Sequence, residues 1–485
     1  MSKSIPSREL FFPFGTPCTA VGLDGSVYAS SHWNTAFKFA GKNVPDPEIG
    51  GSSVIVRYDK DGKEQWALTL EGAATVTAMT ADMDGTLYAA GYFVDKVTLN
   101  DGSTLNGNDT DPYGFILKIG TDGKVQAQQI IITAAPTEPA EYWGELLFYP
   151  NKLMLDHQKL YVLANFKGEV ESLGWHGSYA NYYWGMAYLD NRSAGIFTLN
   201  TADLMNPTSV AVLQATEPVF DAEEGLQCYA DAVDFVVQNR AVMLGFVGFG
   251  NLTLTTPQDS KDYSFEMQGE GMNEHAFVGV AIEGGKILKP QANDGIYHAA
   301  PHDSYYADYS LKGMYIDGQS VYVAGTCYGN FWFDQSVSQD KNYAFIASFN
   351  MQSGELNWTR PLEVESYGTA LGQEGGNVMA STNVGTFLIG TDGNIMTDKT
   401  KMQKLDALAS FMTATNAYVY ADGMNVRVFG RYNAEEAEKI LTGIEQPKAG
   451  AAKLTGARYN LAGQKVDANY KGVVITSEGK KYYVK

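Results

Sequence analysis

Hydrophobic positions along this chain fall in short runs, and one unit recurs. A turn, often Asp-Gly, precedes a strand in which an aromatic residue or Met sits among β-branched or small neighbours. Clear copies are Asp24-Gly25-Ser26-Val27-Tyr28-Ala29, Asp84-Gly85-Thr86-Leu87-Tyr88-Ala89-Ala90-Gly91 and Asp317-Gly318-Gln319-Ser320-Val321-Tyr322-Val323-Ala324-Gly325. Lys159-Leu160-Tyr161-Val162 is another, and weaker copies centre on Met243, Met379 and Tyr418. The seven anchors at 28, 88, 161, 243, 322, 379 and 418 lie mostly 57 to 82 residues apart. That interval accommodates four strands and their loops.

Each clear anchor strand is followed by a more continuously apolar strand and a second tight turn. Val54–Tyr58 runs into Asp61-Gly62, Phe115–Ile119 into Asp122-Gly123, and Phe345–Phe349 into Ser353-Gly354. Asp-Gly tolerates the positive φ that hairpin turns need. In two copies a tryptophan stands four residues past the glycine, Trp66 after Gly62 and Trp358 after Gly354. The pattern predicts an all-β fold, a β-propeller of seven blades with six and eight as alternatives, over residues 1–432. Leu10-Phe11-Phe12-Pro13-Phe14 is expected to complete the last blade and close the ring.

Two resemblances follow from these residues. The stretch Val76–Gly123, carried by Asp84–Gly91 and Gly114–Gly123, resembles the seven-bladed propeller repeat of bacterial secreted proteins. The Gly-x-x-x-Trp element resembles the docking motif of quinoprotein-type propellers. The adjacent cysteine pair of that family is absent, so no quinone cofactor is expected, and the two tryptophans are read as packing between blades. A resemblance of this kind implies a fold and transfers no activity.

The end of the chain reads differently. Asn433 and Gly443 bracket an expected short helix, Ala434–Thr442, within a linker over 433–445. Residues 446–485 then hold eight Lys or Arg against two acids, a net +6 that leaves −26 for the rest. Three strands are expected there, around Tyr459, at Val473-Val474-Ile475 and at Tyr482-Tyr483-Val484. Thr442-Gly443-Ile444-Glu445, Tyr459–Val466, Lys471–Ile475 and Gly479–Lys485 resemble the C-terminal sorting domain of Bacteroidota secreted and surface proteins served by type IX secretion. That resemblance implies export, a secretion-machinery partner, and a signal peptide missing from this chain; a cytoplasmic location is the alternative. The start, Met1–Pro6, has no apolar h-region.

Composition narrows the partners. A formal charge of −20 over 485 residues argues against nucleic acid. No apolar run reaches the length of a transmembrane helix. Cys18, Cys228 and Cys327 match no zinc or redox spacing, and three buried thiols are expected.

Blade topology places the long connections, roughly 32–50, 93–112, 133–150, 166–192, 248–274 and 292–310, on one face of the disc and the short turns on the other. Long segments on a rigid scaffold carry function. They hold the candidate ligand-binding residues Trp143, Trp175, Tyr179, Tyr182, Tyr183, Trp184, Tyr305 and Tyr306. Flat rings among Asn, Asp and Ser suit a sugar or a peptide surface; the same rings would equally pack the connections onto the propeller.

No metal site is expected: His298 and His302 lie next to Pro301 without helical periodicity, and Asp101, Asn106, Asn108, Asp109 and Asp111 fit polar turns better than a calcium loop. No nucleophile elbow, phosphate loop or dinucleotide fingerprint occurs. Glu141, Glu145, Asp221, Glu223 and Glu224 supply carboxylates without showing a catalytic pair. The expectation is a secreted or surface propeller that binds a glycan or protein without catalysis. A polysaccharide hydrolase or lyase and a structural envelope protein are the alternatives.

Overall fold

The computed structural model describes residues 18–22, 26–59, 63–82, 84–109, 111–134, 147–176, 182–184, 187–189, 193–215, 220–221, 225–226, 229–238, 240–265, 276–288, 296–298, 310–317, 320–331, 334–350, 355–364, 370–374, 377–382, 385–396, 409–412, 417–422, 425–430, 458–459, 465–466, 472–476 and 481–484. Apart from one turn of 3₁₀ helix, Glu171–Leu173, every regular element among them is a β-strand.

The strands form consecutive antiparallel sheets, labelled here in chain order. Sheet I is Cys18–Val21, Val27–His32, Ser53–Tyr58 and Glu64–Glu71. Sheet II is Ala74–Ala81, Leu87–Phe93, Tyr113–Ile119 and Val125–Ile131. Sheet III is Leu147–Asp156, Lys159–Lys167, Ser193–Asn200 and Thr208–Ala215. Sheet IV is Tyr229–Gln238, Ala241–Thr255 and Ala276–Glu283, with its outer position split between Lys286–Leu288 and Ile296–His298. Sheet V is Ser310–Asp317, Ser320–Phe331, Asp334–Asn350 and Leu356–Val364.

Two narrower sheets follow. Sheet VI is Ala370–Glu374, Asn377–Thr382 and Gly385–Ile389, with one further bridge from Ile389 to Ile395. Sheet VII is Ala409–Met412, Ala417–Asp422 and Asn425–Gly430. The first strands pack against one another in chain order, and that of sheet VII returns to that of sheet I. The fold is therefore an all-β propeller. Leu10–Phe14 and the helix expected at Ala434–Thr442 lie outside the described residues. At the end of the chain, Lys465–Val466, Arg458–Tyr459, Gly472–Thr476 and Lys481–Val484 pair antiparallel in that order, which places strands at the three expected positions and adds a fourth, Lys465–Val466.

The core lies between sheets. One cluster joins the facing sides of sheets I and II through Tyr28, Ile55, Leu68, Phe93 and Phe115; another joins II and III through Tyr88, Ile116, Phe148, Val162 and Phe197. Strands whose two faces both meet a neighbouring blade read as nearly unbroken apolar runs, and Ser53–Tyr58 and Lys159–Lys167 do so. The anchor positions Tyr28, Tyr88, Tyr161, Met243, Tyr322 and Met379 are all buried. The Tyr28 hydroxyl donates to the carbonyl of Gly85 in the next sheet at 2.7 Å, and the Tyr88 hydroxyl to that of Thr201 at 3.2 Å. A buried phenol needs such a partner.

Among the described residues, the long connections of sheets I, II and IV are paired hairpins. Between the second and third strands of sheet I lies a hairpin, Phe37–Phe39 with Lys42–Val44; in sheet II it is Lys96–Leu99 with Thr104–Asn106. In sheet IV the second strand itself runs on and turns back through Ser260–Phe265. Two of these hairpins reach back to the preceding sheet: Leu99 pairs with Leu70, and Thr255 to Leu252 pair with Val212 to Ala215. They cover the outer edges of sheets I and III, which would otherwise present unpaired backbone to water.

Candidate functional site

One candidate ring, Trp175, is a core residue, which corrects the expectation placed on it. Trp175 sits in a two-residue strand paired with Glu169–Val170, where Gly174, at φ 65°, closes the 3₁₀ turn. Its side chain is 1% exposed. The ring lies over Gly195, where a Cβ would stand 2.5 Å from the indole, with Phe166 at 4.9 Å and Phe197 edge-on at 5.9 Å. Its Nε1–H donates to Ser209 Oγ at 2.8 Å. Trp175 anchors the insert to sheet III and has no ring face left for a ligand.

Tyr182, Tyr183 and Trp184 form a short strand paired with Ala187–Leu189, in register Tyr183 with Tyr188. Their side chains, and Trp143, Tyr179, Tyr305 and Tyr306, lie outside the described residues. The oxygen-rich segment near Asp101 behaves as turn chemistry: Asp101 accepts the amides of Ser103 and Val125, and Asn108 accepts that of Asp111. Ile296–His298 is a strand paired with Ala276–Val278, which keeps His298 off any helix. Among the described residues no group of three His, Cys, Asp or Glu converges to hold a metal.

The short-turn face is occupied by joints between blades. Trp66, on the outer strand of sheet I, covers Gly123 of sheet II, where a Cβ would meet the indole at 2.8 Å, and donates its Nε1–H to Thr121 O at 3.0 Å. Trp358 of sheet V repeats this on Gly393 and Thr391 O of sheet VI, at 2.8 Å in both cases. Gly123 and Gly393 have φ of 82° and 80°, the left-handed region open to glycine. The sequence reading of the two tryptophans as blade packing stands.

The inner wall carries a feature the sequence did not announce. In sheets II to V the innermost strand bulges, at Thr77, Asn151, Val233 and Lys312. Each bulge lies three residues before the residue paired with that sheet's anchor. Bulges bend a strand and re-aim its side chains, and here they link successive blades. Thr77 Oγ1–H donates to Pro150 O at 2.6 Å, and Asn151 Nδ2 to Ala232 O at 3.4 Å. Lys152 pairs with the buried Asp234, whose other oxygen accepts the Met314 amide at 2.7 Å. Four unlike residues at one register leave no sequence signal.

At the hairpin-face end of this wall, the rings of Tyr92 and Tyr149 stand 5.7 Å apart, tilted by 36°. Tyr149 is 39% exposed although Phe148 and Pro150 on either side are buried. This pair was not among the sequence candidates; a tyrosine preceding a proline in an apolar run was its one visible sign.

No family model and no curated protein matches the chain. Among solved structures it is similar to BamB from Moraxella catarrhalis, at 12% identity over 89% of this chain and 100% of that one, with a TM-score of 0.37. It is also similar to hydrazine synthase of Kuenenia stuttgartiensis (11%, 88% and 97%, 0.40) and to quinohemoprotein alcohol dehydrogenase from Comamonas testosteroni (12%, 95% and 79%, 0.39). At these scores the likeness carries nothing about chemistry, and the fold rests on the sheets themselves.

Proposed function

We propose that this chain is an exported, non-catalytic binding propeller of seven blades whose hairpin-bearing face takes a glycan or protein ligand. One observation carries the reading, the asymmetry between the two faces. Described short turns on one side carry the tryptophan and tyrosine joints, whereas the described connections of sheets I, II and IV on the other side are extended into paired hairpins. Rigid extensions on one face are suited to recognition, because little order is lost on binding. Trp143, Tyr179, Tyr182, Tyr183, Trp184, Tyr305 and Tyr306 remain the proposed contacts on that face.

The experiment is to replace residues 177–192, beyond the Trp175 anchor, with Asn-Gly. The immobilised full chain and this variant are then assayed against glycan arrays and against purified envelope proteins of the producing cell. The expected result is at least tenfold weaker binding with an unchanged unfolding midpoint; equal binding overturns the reading.

Residues 446–485 are proposed as the export module. Deleting them in the producing cell should retain the propeller inside the cell, folded. Undiminished surface display of the truncated chain overturns that part. Among the described residues no helix is long and apolar enough to cross a membrane.

A further inference from the structure

We infer that the seam between sheets II and III, at the hairpin-bearing end of the inner wall, is a subsite for a sugar ring stacked on Tyr149. The inference rests on the binding reading above and names its ligand class and place. Three features converge there. Tyr149 is the residue two before the Asn151 bulge, and the equivalent residue of sheet II, two before the Thr77 bulge, is Thr75. Thr75 is the register partner of Tyr92, the ring that leans on Tyr149. One ring is therefore held by another, and the half-buried Thr75 stands opposite the supporting ring in the sheet.

The strand beneath is fixed. Phe148 is fully buried and fills the space over Gly114, where a Cβ would clash at 2.2 Å, and Pro150 O accepts the Thr77 hydroxyl. A large aromatic residue left 39% exposed on a strand this constrained is not there to fill the core. A supported ring with hydroxyls at its edge matches the apolar face and equatorial hydroxyls of a pyranose.

The test uses the full chain, the variants Tyr149→Ala and Tyr149→Trp, and neutral β-1,4-glucan, β-1,4-xylan and α-mannan hexasaccharides in titration calorimetry. The expected result is binding of at least one by the wild type. Tyr149→Ala should weaken it about five- to tenfold, the loss of one stacked ring, and Tyr149→Trp should restore it. Unfolding midpoints of both variants should match the wild type. Binding that is unaffected by Tyr149→Ala overturns the subsite and leaves the binding reading intact. A wild type that binds none of the three overturns the sugar assignment, whereas the binding reading then stands or falls on the 177–192 replacement assayed with proteins. A Tyr149→Ala midpoint that falls steeply assigns the ring to the core and also overturns the subsite.

Discussion

The joint between sheets I and II and the joint between sheets II and III solve one packing problem in two ways. In sheet I the register runs Tyr28, Arg57, Trp66 from the anchor outward; in sheet II the equivalent row is Tyr88, Lys118, Ala127. Both anchors send a hydroxyl to the next sheet, and both middle residues reach a turn carbonyl, Arg57 to Thr121 O at 3.0 Å and Lys118 to Ala202 O at 3.2 Å. The outer position decides the difference. Where it is Trp66, the facing turn is the tight Gly120-Thr121-Asp122-Gly123. Where it is Ala127, the facing turn is the longer Thr201–Pro207, and Leu204, fully buried at φ 60°, joins the same cluster as Ala127. Sheets V and VI return to the first solution, with Tyr322, Ser348, Trp358 facing Gly390-Thr391-Asp392-Gly393. Outer residue and facing turn are thus a matched pair, and the volume missing from one side is supplied by the other.

The largest effect expected is on a ring sealed within a single blade. Trp175→Ala should cost about 3–5 kcal/mol, read from the urea midpoint. Trp66→Ala, whose ring is half-exposed, should cost about 2 kcal/mol. Equal losses would break the distinction between anchor and joint. Leu204→Ala should cost about 3 kcal/mol although it lies in a turn, because it fills a core site; a loss under about 0.5 kcal/mol, the scale of a surface change, would show that it does not replace a tryptophan.

Gly123→Ala and Gly393→Ala should each cost about 1–3 kcal/mol, from the left-handed backbone and the indole above it. Similar losses at both would confirm that the two joints are equivalent. Ala127→Trp should cost about 1–3 kcal/mol by overpacking against Leu204. Combined with Leu204→Ala it should cost less than the sum of the two, because the new ring enters the vacated space. Strict additivity would sink the matched-pair account.

Tyr88→Phe should be the mildest, about 1 kcal/mol at neutral pH, with a sharper signature in alkali. Burial first, and the nearby Asp82 second, push the Tyr88 phenol up to about 12. Between about pH 10, where an unfolded tyrosine ionises, and 12 the folded chain keeps a proton that the unfolded chain has lost, so stability falls as pH rises. Tyr88→Phe should remove its share of that slope. An unchanged slope would mean that the hydroxyl is not held in the joint.

Much of the joint was legible in the sequence. The anchors appear because every blade needs a large side chain at the start of its second strand, and the Asp-Gly turns because hairpins need positive φ. Trp66 and Trp358 declare themselves by their distance from a glycine. The glycines that they cover, Gly123 and Gly393, lie 57 and 35 residues further along the chain and carry no mark of it. The hairpins at Phe37–Val44 and Lys96–Asn106 were read as loops because their strands are three or four residues long and half polar. Trp175 was assigned to a ligand because clustering of rings does not reveal which one points inward. The bulges and the Lys152–Asp234 pair, 82 residues apart, come from register and closure, which no local pattern records.

Four of the polar joints also have a direction in time. Tyr28 donates to Gly85, Tyr88 to Thr201, Thr77 to Pro150 and Asn151 to Ala232, and in each the donor belongs to the earlier blade. A chain made from its N-terminus therefore presents each donor before its acceptor exists. Until the next sheet forms, water alone satisfies the exposed phenol, and the apolar face around it has no cover. Each of the first three blades is thus incomplete as an isolated unit and is finished by its successor. Docking of the next sheet both seals that face and dehydrates a bond already aimed at it, so assembly gains cooperativity at each boundary.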